Sequence, residues 1–277
     1  MRGLHMAVGL AGIVTGCGGA PPSKLPDGQA AIDRMRASYG CTAGVQIDEA
    51  KVDAFGNGQR VRTDVMMLAA SPSRFRLDAK TPVAGDVAAV ITSDGTTLAS
   101  SDLRQGRFTS GPANACGFAN VAKIAVPPAV LVTLLLGHAP VLVHSSPPTL
   151  RWSSGRYLVG IDGTNGSREE IELQPWTNQR LRVARVHVEQ QGATLYDAEL
   201  ADPQPAPAAT GDRCDDAEIP RSVHLSVPPA GEDILIRTTK VVVNPSLDPT
   251  VFTQSSQPGM STERLTCVTA PGSSTYP

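Results

Sequence analysis

The sequence is poor in aromatic residues and in charge. Only 4% of its 277 residues are Phe, Trp or Tyr, and only 18% are charged, with a net charge of −2. A balance this close to neutral supplies no basic field for phosphate contacts, so no nucleic-acid partner is expected. Because aromatic residues are scarce, a buried interior must be lined mainly by Val, Leu, Ile, Ala and Met. The length suits one large domain or two small ones.

Motifs of enzymatic chemistry are also absent. The chain has no G-x-S-x-G nucleophile elbow and no S-x-x-K sequence. Adjacent residues of a strand point to opposite faces, so Glu169 and Glu170 cannot share an active site. The later histidines are dispersed, at His138, His144, His187 and His224. We therefore expect no enzymatic activity and no cofactor, and a hydrolase dependent on His187 or His224 is a distant alternative.

The cysteines lack the close spacing that metal sites need. No C-x-x-C or H-x-x-x-H occurs, so no metal is expected. Apart from Cys17, an even number remains, which suggests disulfides in an oxidising compartment. Three pairings are open, and the favoured one joins cysteines within each half of the chain, because each bond then closes a loop in its own half. It pairs Cys41 with Cys116, and Cys214 with Cys267.

The beginning of the chain has the features of an export signal. A short polar region containing Arg2 precedes an apolar run over residues 6–14, which is too short to span a membrane. Residues Val14-Thr15-Gly16-Cys17 resemble the lipobox of bacterial lipoproteins, in which the cysteine is acylated. The resemblance implies a signal peptide over residues 1–16, lipidation of Cys17 and attachment to a membrane through that lipid. An ordinary secretory signal that contains a cysteine is the alternative.

The residues that follow give the expected location and a tether. Gly18 stands where an aspartate would retain a lipoprotein in the inner membrane, so we expect a bacterial outer-membrane location facing the periplasm. Residues 17–27 are rich in Gly and Pro and are predicted to be the lipidated cysteine and a flexible tether.

The remaining pattern predicts one mainly β domain over residues 28–254. A short amphipathic helix is predicted over residues 30–37, and Asn57-Gly58 between two extended runs is a strong hairpin signal. In the strand over residues 180–189, odd positions from Leu181 to His187 are predicted to share one face. Residues 202–212 are predicted to be a loop, and residues 255–277 a polar tail tied by Cys267. Many short strands with hairpin turns favour a barrel or a highly curved sheet.

A short apolar helix interrupts the strands. Residues 127–137 begin with two prolines and end with a glycine, as helices do. The helix is apolar nearly all round and must be buried on more than one side, either as a lid over a cavity or as a plug in the barrel. Met66 is either part of a cavity wall or plain core packing, a role that methionine often has. The predicted cavity or lid residues are Met66, Leu131, Leu134 and Leu135.

The order of these elements resembles the LolA/LolB-type fold, and in particular LolB-like bacterial lipoproteins of undefined role. After the helix and first hairpin, the matching features are Ser71-Pro72-Ser73-Arg74-Phe75-Arg76-Leu77, Ile91-Thr92-Ser93-Asp94-Gly95, the apolar helix, Arg151-Trp152, Leu173-Gln174-Pro175 and Val243-Asn244-Pro245. The resemblance covers about residues 28–252. The cysteines and the polar end are not part of the family pattern.

The resemblance implies an unclosed antiparallel β-barrel with a few short helices as lid or plug around an apolar cavity for acyl chains. The expected function is a lipid-anchored binding module for lipoprotein or lipid transfer at the outer membrane, and a monomer is expected. The alternative is a structural or assembly-partner lipoprotein with no cavity ligand.

Overall fold

The computed structural model describes residues 20–56, 58–81, 85–209, 214 and 217–267. Within them, three α-helices and fourteen strands follow one another along the chain. They are α1 (Gly28–Tyr39), β1 (Gly44–Gly56), β2 (Gln59–Ala70), β3 (Arg74–Lys80), β4 (Val87–Ser93), β5 (Thr97–Asp102), β6 (Arg107–Pro112), α2 (Ala115–Ala122), α3 (Pro128–Leu135), β7 (Thr149–Ser153), β8 (Arg156–Asp162), β9 (Ser167–Pro175), β10 (Leu181–Gln190), β11 (Ala193–Pro205), β12 (Glu218–Val227), β13 (Glu232–Val243) and β14 (Ser261–Arg264).

The strands form one curved sheet made of two meanders. Its order is β14-β6-β5-β4-β3-β2-β1-β13-β12-β11-β10-β9-β8-β7, so the first and last long strands, β1 and β13, meet at the centre. All pairs are antiparallel except β14 with β6, which is parallel. Strands β7 and β14 stand at opposite edges and do not pair in the described part of the chain. The prediction of an unclosed antiparallel barrel is confirmed.

The sheet has two distinct ends, which we name by β1. At the proximal end β1 begins and β2 finishes, and the turns β2–β3, β7–β8 and β9–β10 lie there as well. At the distal end lie the β1–β2 hairpin turn and the turn between β12 and β13. The hairpin predicted from Asn57-Gly58 is confirmed by the pairing of Gly56 with Gln59.

Helix α1 lies on the inner face of the sheet and runs towards the proximal end. The side chain of Asp27 caps its first turn by accepting a hydrogen bond from the amide of Ala30 at 2.8 Å. Only glycine fits at Gly28, because a β-carbon would lie 2.6 Å from the carbonyl oxygen of Pro148. At its other end, Ser38 Oγ accepts a hydrogen bond from the Leu181 amide of β10. The predicted amphipathic helix is therefore confirmed.

Helix α3 fills the interior of the sheet. It packs against β2, β3 and β12, and its residues Leu131, Leu134 and Leu135 are buried in the main core. The helix therefore acts as a plug, one of the two roles that its all-round apolar surface predicts.

Two buried carboxyl groups hold the segments on either side of α3. The Ala125 amide, before the helix, donates to Glu232 Oε2 at 2.7 Å, and the Leu142 amide, after it, donates to Glu169 Oε2 at 2.8 Å. Burial raises the pKa of both glutamates, that of Glu169 to about 8. The plug is thus tied to the inner face at both of its flanks.

The face pattern predicted for β10 is wrong in its second half. Leu181 and Val183 do point inward, but the pairing with β9 shifts by one residue between Val183 and Arg185. After this β-bulge, the even-numbered residues of β10 point inward and the odd-numbered residues point outward. Val186 and Val188 therefore enter the core, and His187 lies on the outer face.

The C-terminal part of the chain is more ordered than predicted. Strand β11 continues to Pro205, inside the predicted loop, because Pro203 and Pro205 pair with β12. The predicted polar tail contributes a strand, β14, to the edge of the sheet. Before β14, Phe252 packs on Leu68 and Ala70 of the outer face. The described end of the chain is thus part of the domain.

The cysteines form two disulfides, but with the other pairing. Cys41 bonds to Cys214, and Cys116 bonds to Cys267. The favoured pairing within each half is wrong because β1 and β13 lie side by side, which brings the two halves of the chain together. Likewise, the pairing of β14 with β6 carries the chain end back to α2.

Candidate functional site

A pocket of about 480 Å³ opens at the proximal end of the sheet. It lies between the end of α1, the β2–β3 turn, α3 and the segment that follows α3. Its walls are mostly apolar. They consist of Arg36, Tyr39, Gly40, Thr42, Ala43, Ser71, Pro72, Ala129, Val130, Thr133, Leu136, His138, Ala139, Pro140 and Val141.

Helix α3 presents different residues to the pocket and to the core. Helical spacing places Ala129, Thr133 and Leu136 along the pocket. The predicted residues Leu131, Leu134 and Leu135 are absent from the pocket wall and buried in the main core. The structure therefore brings these three leucines together, but it places them behind the pocket and not on its surface.

Two ionisable side chains inside the pocket, Tyr39 and His138, are neutral at neutral pH. The rings of Tyr39 and His138 are 5.1 Å apart at their centroids. Burial lowers the pKa of His138 to about 4, against hydrogen bonds with the backbone of Tyr39 and Thr42, and burial raises the pKa of Tyr39 to about 12. Among the described residues that line the pocket, Arg36 alone is charged at neutral pH. Such walls suit an apolar ligand.

Glycine at position 137 allows this packing. Gly137 has a φ of +83°, and a β-carbon there would lie 2.8 Å from Cε1 of Tyr39. Any other residue would push the tyrosine ring away from the turn that follows α3. The turn leads directly into the pocket residues His138 and Ala139.

Another space, of about 520 Å³, lies on the outer face of β1, β2 and β13. Its walls carry charges of both signs, including Lys51, Asp64 and Arg237. It is larger than the proximal pocket, yet these side chains make it a solvated groove. We therefore take the proximal pocket as the candidate site.

No protein-family model and no curated protein matches this sequence. Solved structures do match the fold. A DUF1329 family protein from Desulfovibrio piger is 11% identical, with a TM-score of 0.55 over 81% of this chain and 96% of its own. A LolA superfamily protein from Nitrosomonas europaea is 9% identical, with a TM-score of 0.51 over 83% of this chain and 99% of its own. The chain has a LolA/LolB-like fold.

A third solved structure that matches the fold is a domain described as an outer membrane lipoprotein-sorting protein, from Vibrio parahaemolyticus. It is 8% identical, with a TM-score of 0.54 over 81% of this chain and 97% of its own. Identities this low establish the shared fold and not a shared activity.

Met66 does not line the interior of the LolA/LolB-like sheet. It alternates with Val65 and Met67, which are buried in the main core, so it points to the outer face. Its neighbours on that face, Leu68 and Ala70, pack against Phe252. The prediction of an interior role for Met66 is wrong, because Met66 lies on the outer face of β2. Its neighbour Met67 points to the interior instead.

The other residues considered from the sequence lie apart from the pocket. Glu169 points inward and Glu170 outward to Arg151, as strand geometry predicts. His187 contacts Asp197 and Glu189 on the outer face, at 2.7 Å and 3.0 Å. Burial alone would lower the pKa of His187, but these two carboxylates outweigh it and the pKa is raised. The predicted lipidation site, Cys17, lies outside the described residues.

The described residues form neither a metal cluster nor a membrane-spanning helix. They include no group of three or more His, Cys, Asp or Glu side chains arranged to hold a metal ion. In the same part of the chain, no helix has both the length and the apolar character needed to cross a membrane.

Sequence reasoning missed the residues that form the pocket itself. They come from three segments, 36–43, 71–72 and 129–141, which are distant in sequence. A partial signal exists, because Tyr39-Gly40 and Gly137-His138 each end a predicted helix. Nothing in the sequence indicates that these two helix ends meet.

Proposed function

We propose that this protein is a lipid-anchored binding protein of the bacterial envelope that holds an acyl chain, or a similarly apolar group, in the proximal pocket. No covalent bond is made or broken. The observation that carries the proposal is a pocket of about 480 Å³ with mostly apolar, neutral walls on a LolA/LolB-like fold. Ligand pockets for small molecules fall in the range of about 300–1,000 Å³.

The driving force is burial of hydrocarbon. Each methylene group that leaves water contributes about 0.8 kcal/mol, so micromolar binding requires the burial of at least about ten methylenes in a preformed pocket. The neutral state of His138 and Tyr39 at neutral pH avoids placing a desolvated charge beside the chain. The ligand is therefore held by the apolar area that it buries and by the shape of the pocket, and not by charged or covalent contacts.

Envelope location and anchoring belong to the same proposal. Cys17 carries the lipid, the domain faces the periplasm at the outer membrane, and the cargo is a lipid or the acyl part of a lipoprotein. The lipobox-like residues 14–17 and the two disulfides, which suit an oxidising compartment, support this location. The domain from Vibrio parahaemolyticus is itself described in terms of lipoprotein sorting.

The test is binding of a fluorescent fatty acid to the unlipidated domain, together with native mass spectrometry of the domain purified from bacterial membranes. We expect saturable binding and a copurifying lipid. Ala129→Trp, which fills the pocket, should weaken binding about tenfold or more, equivalent to about 1.4 kcal/mol. The matched control is Ala119→Trp, at a half-buried alanine of helix α2 that does not line the pocket, and this variant should bind normally. Equal binding by both variants would contradict the pocket assignment.

A second candidate function is a structural or assembly-partner lipoprotein without a cavity ligand. The observation that favours it is the filling of the inner face by α1 and α3, whose large side chains are buried in one continuous core. If neither the fatty acid nor a copurifying lipid is found, this candidate replaces the first.

A further inference from the structure

The segment before α1 is docked on the sheet. The Ser23 amide donates to Tyr157 Oη at 3.2 Å, and the Tyr157 hydroxyl in turn donates to the Ser23 carbonyl oxygen. Arg34 of α1 donates to Ser23 Oγ at 3.1 Å, and Leu25 packs against the core. The later part of the predicted flexible tether is therefore fixed, which corrects that prediction for residues 23–27.

Docking at Ser23 shortens the connection to Cys17. Six residue steps separate the two, and a fully extended chain spans at most about 3.6 Å per residue, which gives a leash of about 20 Å. Strand β1 has 13 residues and, at about 3.3 Å per residue, spans about 40 Å, so the leash is about half as long as this strand. A leash this short keeps the part of the molecule around Ser23 close to the anchored lipid.

The docking point lies at the proximal end. Tyr157 pairs with Trp152 beside the β7–β8 turn, where the two strands meet at that end. The proximal pocket opens at the same end, between the β2–β3 turn and the residues before β1. Antiparallel alternation across the sheet thus places the docking point and the pocket at the proximal ends of their strands.

The same end carries both tryptophans of the sequence. Trp152 stacks edge-on against Tyr157 with centroids 4.7 Å apart. Trp176, in the β9–β10 turn, lies under the guanidinium groups of Arg182 and Arg180, at 4.1 Å and 5.3 Å from its ring centroid. Half-buried tryptophans are typical of surfaces that lie at a membrane interface.

We propose that the proximal end is the membrane-facing surface of this protein and that its partner is the surface of the lipid bilayer carrying the Cys17 anchor. The short leash holds the pocket mouth against the headgroups, so that an apolar chain passes between bilayer and pocket without crossing open water. The inference rests on the proposed anchoring at Cys17, and it adds an orientation that the anchor alone does not specify.

The experiment uses the two tryptophans as reporters. With both disulfides formed, Cys17 is the free thiol among the five cysteines of the mature chain, so it can be coupled to maleimide-phosphatidylethanolamine. The vesicles contain phosphatidylethanolamine, phosphatidylglycerol and dansyl-labelled phosphatidylethanolamine as energy acceptor. A Trp152→Phe variant leaves Trp176 as proximal reporter. A distal reporter comes from Phe55→Trp, in a chain with Trp152→Phe and Trp176→Phe, because Phe55 is exposed near the distal hairpin turn.

We expect energy transfer from Trp176 to exceed that from the distal reporter by about twofold or more, and insertion of about 20 Gly and Ser residues after Gly19 to abolish the difference. Tyr157→Phe, which removes the hydroxyl that holds Ser23, should lower transfer from Trp176. Tyr196→Phe, at a buried tyrosine of β11, is its matched control. Equal transfer from both reporters with the native leash, or transfer unaffected by the insertion, would overturn the proposal.

Chemical coupling separates this inference from the proposed function. Orientation is measured whether or not bacteria acylate Cys17. Acylation is measured independently, as the added mass of the protein extracted from bacterial membranes. If that mass is absent, the protein has no natural lipid anchor. The reporters still show which end of the molecule a leash at residue 17 holds to a bilayer.

Discussion

At the scale of single residues, the inner face of the sheet contains an ionisable group that the solvent does not reach. Glu169 is fully buried, and its Oε1 has no hydrogen-bond partner among the described residues. Because burial disfavours the charged form, its pKa is raised to about 8 and the side chain is a neutral acid at pH 7. Its other oxygen still accepts from the Leu142 amide. This group ties the stability of the plug to pH.

Whether stability rises or falls with pH follows from the pKa of Glu169 in the unfolded chain and in the folded protein. In the unfolded chain Glu169 releases its proton near its ordinary pKa of about 4.5, whereas the folded protein keeps it up to about pH 8. The contribution of Glu169 to stability is thus complete below about pH 4.5 and declines as pH rises through about 8, by at most about 1.4 kcal/mol per pH unit.

Glu169→Gln should remove this decline, because the amide cannot ionise and can still accept from Leu142. The measurement is the free energy of unfolding in urea from pH 5 to pH 9 for wild type and variant. We expect wild type to lose stability relative to the variant as pH rises. Glu170→Gln, at the exposed neighbour, is the control. Parallel curves for wild type and Glu169→Gln would contradict the raised pKa.

At the scale of elements, one face of α3 packs in the core and another face lines the pocket. Leu134 is fully buried in the core, whereas Ala129, five positions earlier on the helix, lines the pocket. A large-to-small change in the core removes burial and leaves a cavity. The same helix therefore offers one position that affects stability and another that affects the ligand.

Leu134→Ala should lower the free energy of unfolding by about 3 kcal/mol, within the usual range for such changes. The affinity of the folded protein for the fluorescent fatty acid should stay within about threefold, which is below 1 kcal/mol. Urea unfolding and fluorescence titration check the two expectations. The opposite result, strong loss of affinity with little loss of stability, would place Leu134 at the ligand.

At the scale of the whole molecule, the C-terminal segment is fastened to the β2–β6 half of the sheet. Gln254 donates to the carbonyl groups of Val90 and Ala99, and β14 pairs with β6. The Cys116–Cys267 disulfide, with a sequence separation of 151 residues, closes this arrangement. A cross-link over so long a loop stabilises mainly by restricting the unfolded chain.

Replacing both Cys116 and Cys267 by alanine should reduce the free energy of unfolding by about 2–4 kcal/mol. Amide hydrogen exchange should rise in β14 (Ser261–Arg264) and stay low in the central strands β1 and β13. Fatty-acid binding should persist, since neither cysteine lines the pocket. Unchanged protection of β14 would show that its hydrogen bonds to β6 hold the segment without the disulfide.

Local signals in the sequence predicted much of the fold. The Asn57-Gly58 turn, the period-two strands and the proline and glycine that bound α3 depend on neighbouring residues, so they are readable without the rest of the molecule. The bulge between Val183 and Arg185 is different, because only the register with β9 reveals it. The element order was enough to indicate a LolA/LolB-like sheet, but not which face each strand presents.

By itself the sequence determined the mainly β architecture, the short apolar helix and the presence of disulfides, since each is written in local pattern or composition. Only the tertiary structure decided the disulfide pairing, the walls of the proximal pocket and the docking of Ser23 on Tyr157. These depend on contacts between residues that are far apart in the chain. The sheet brings them together because β1 pairs with β13, a long-range choice that no local pattern encodes.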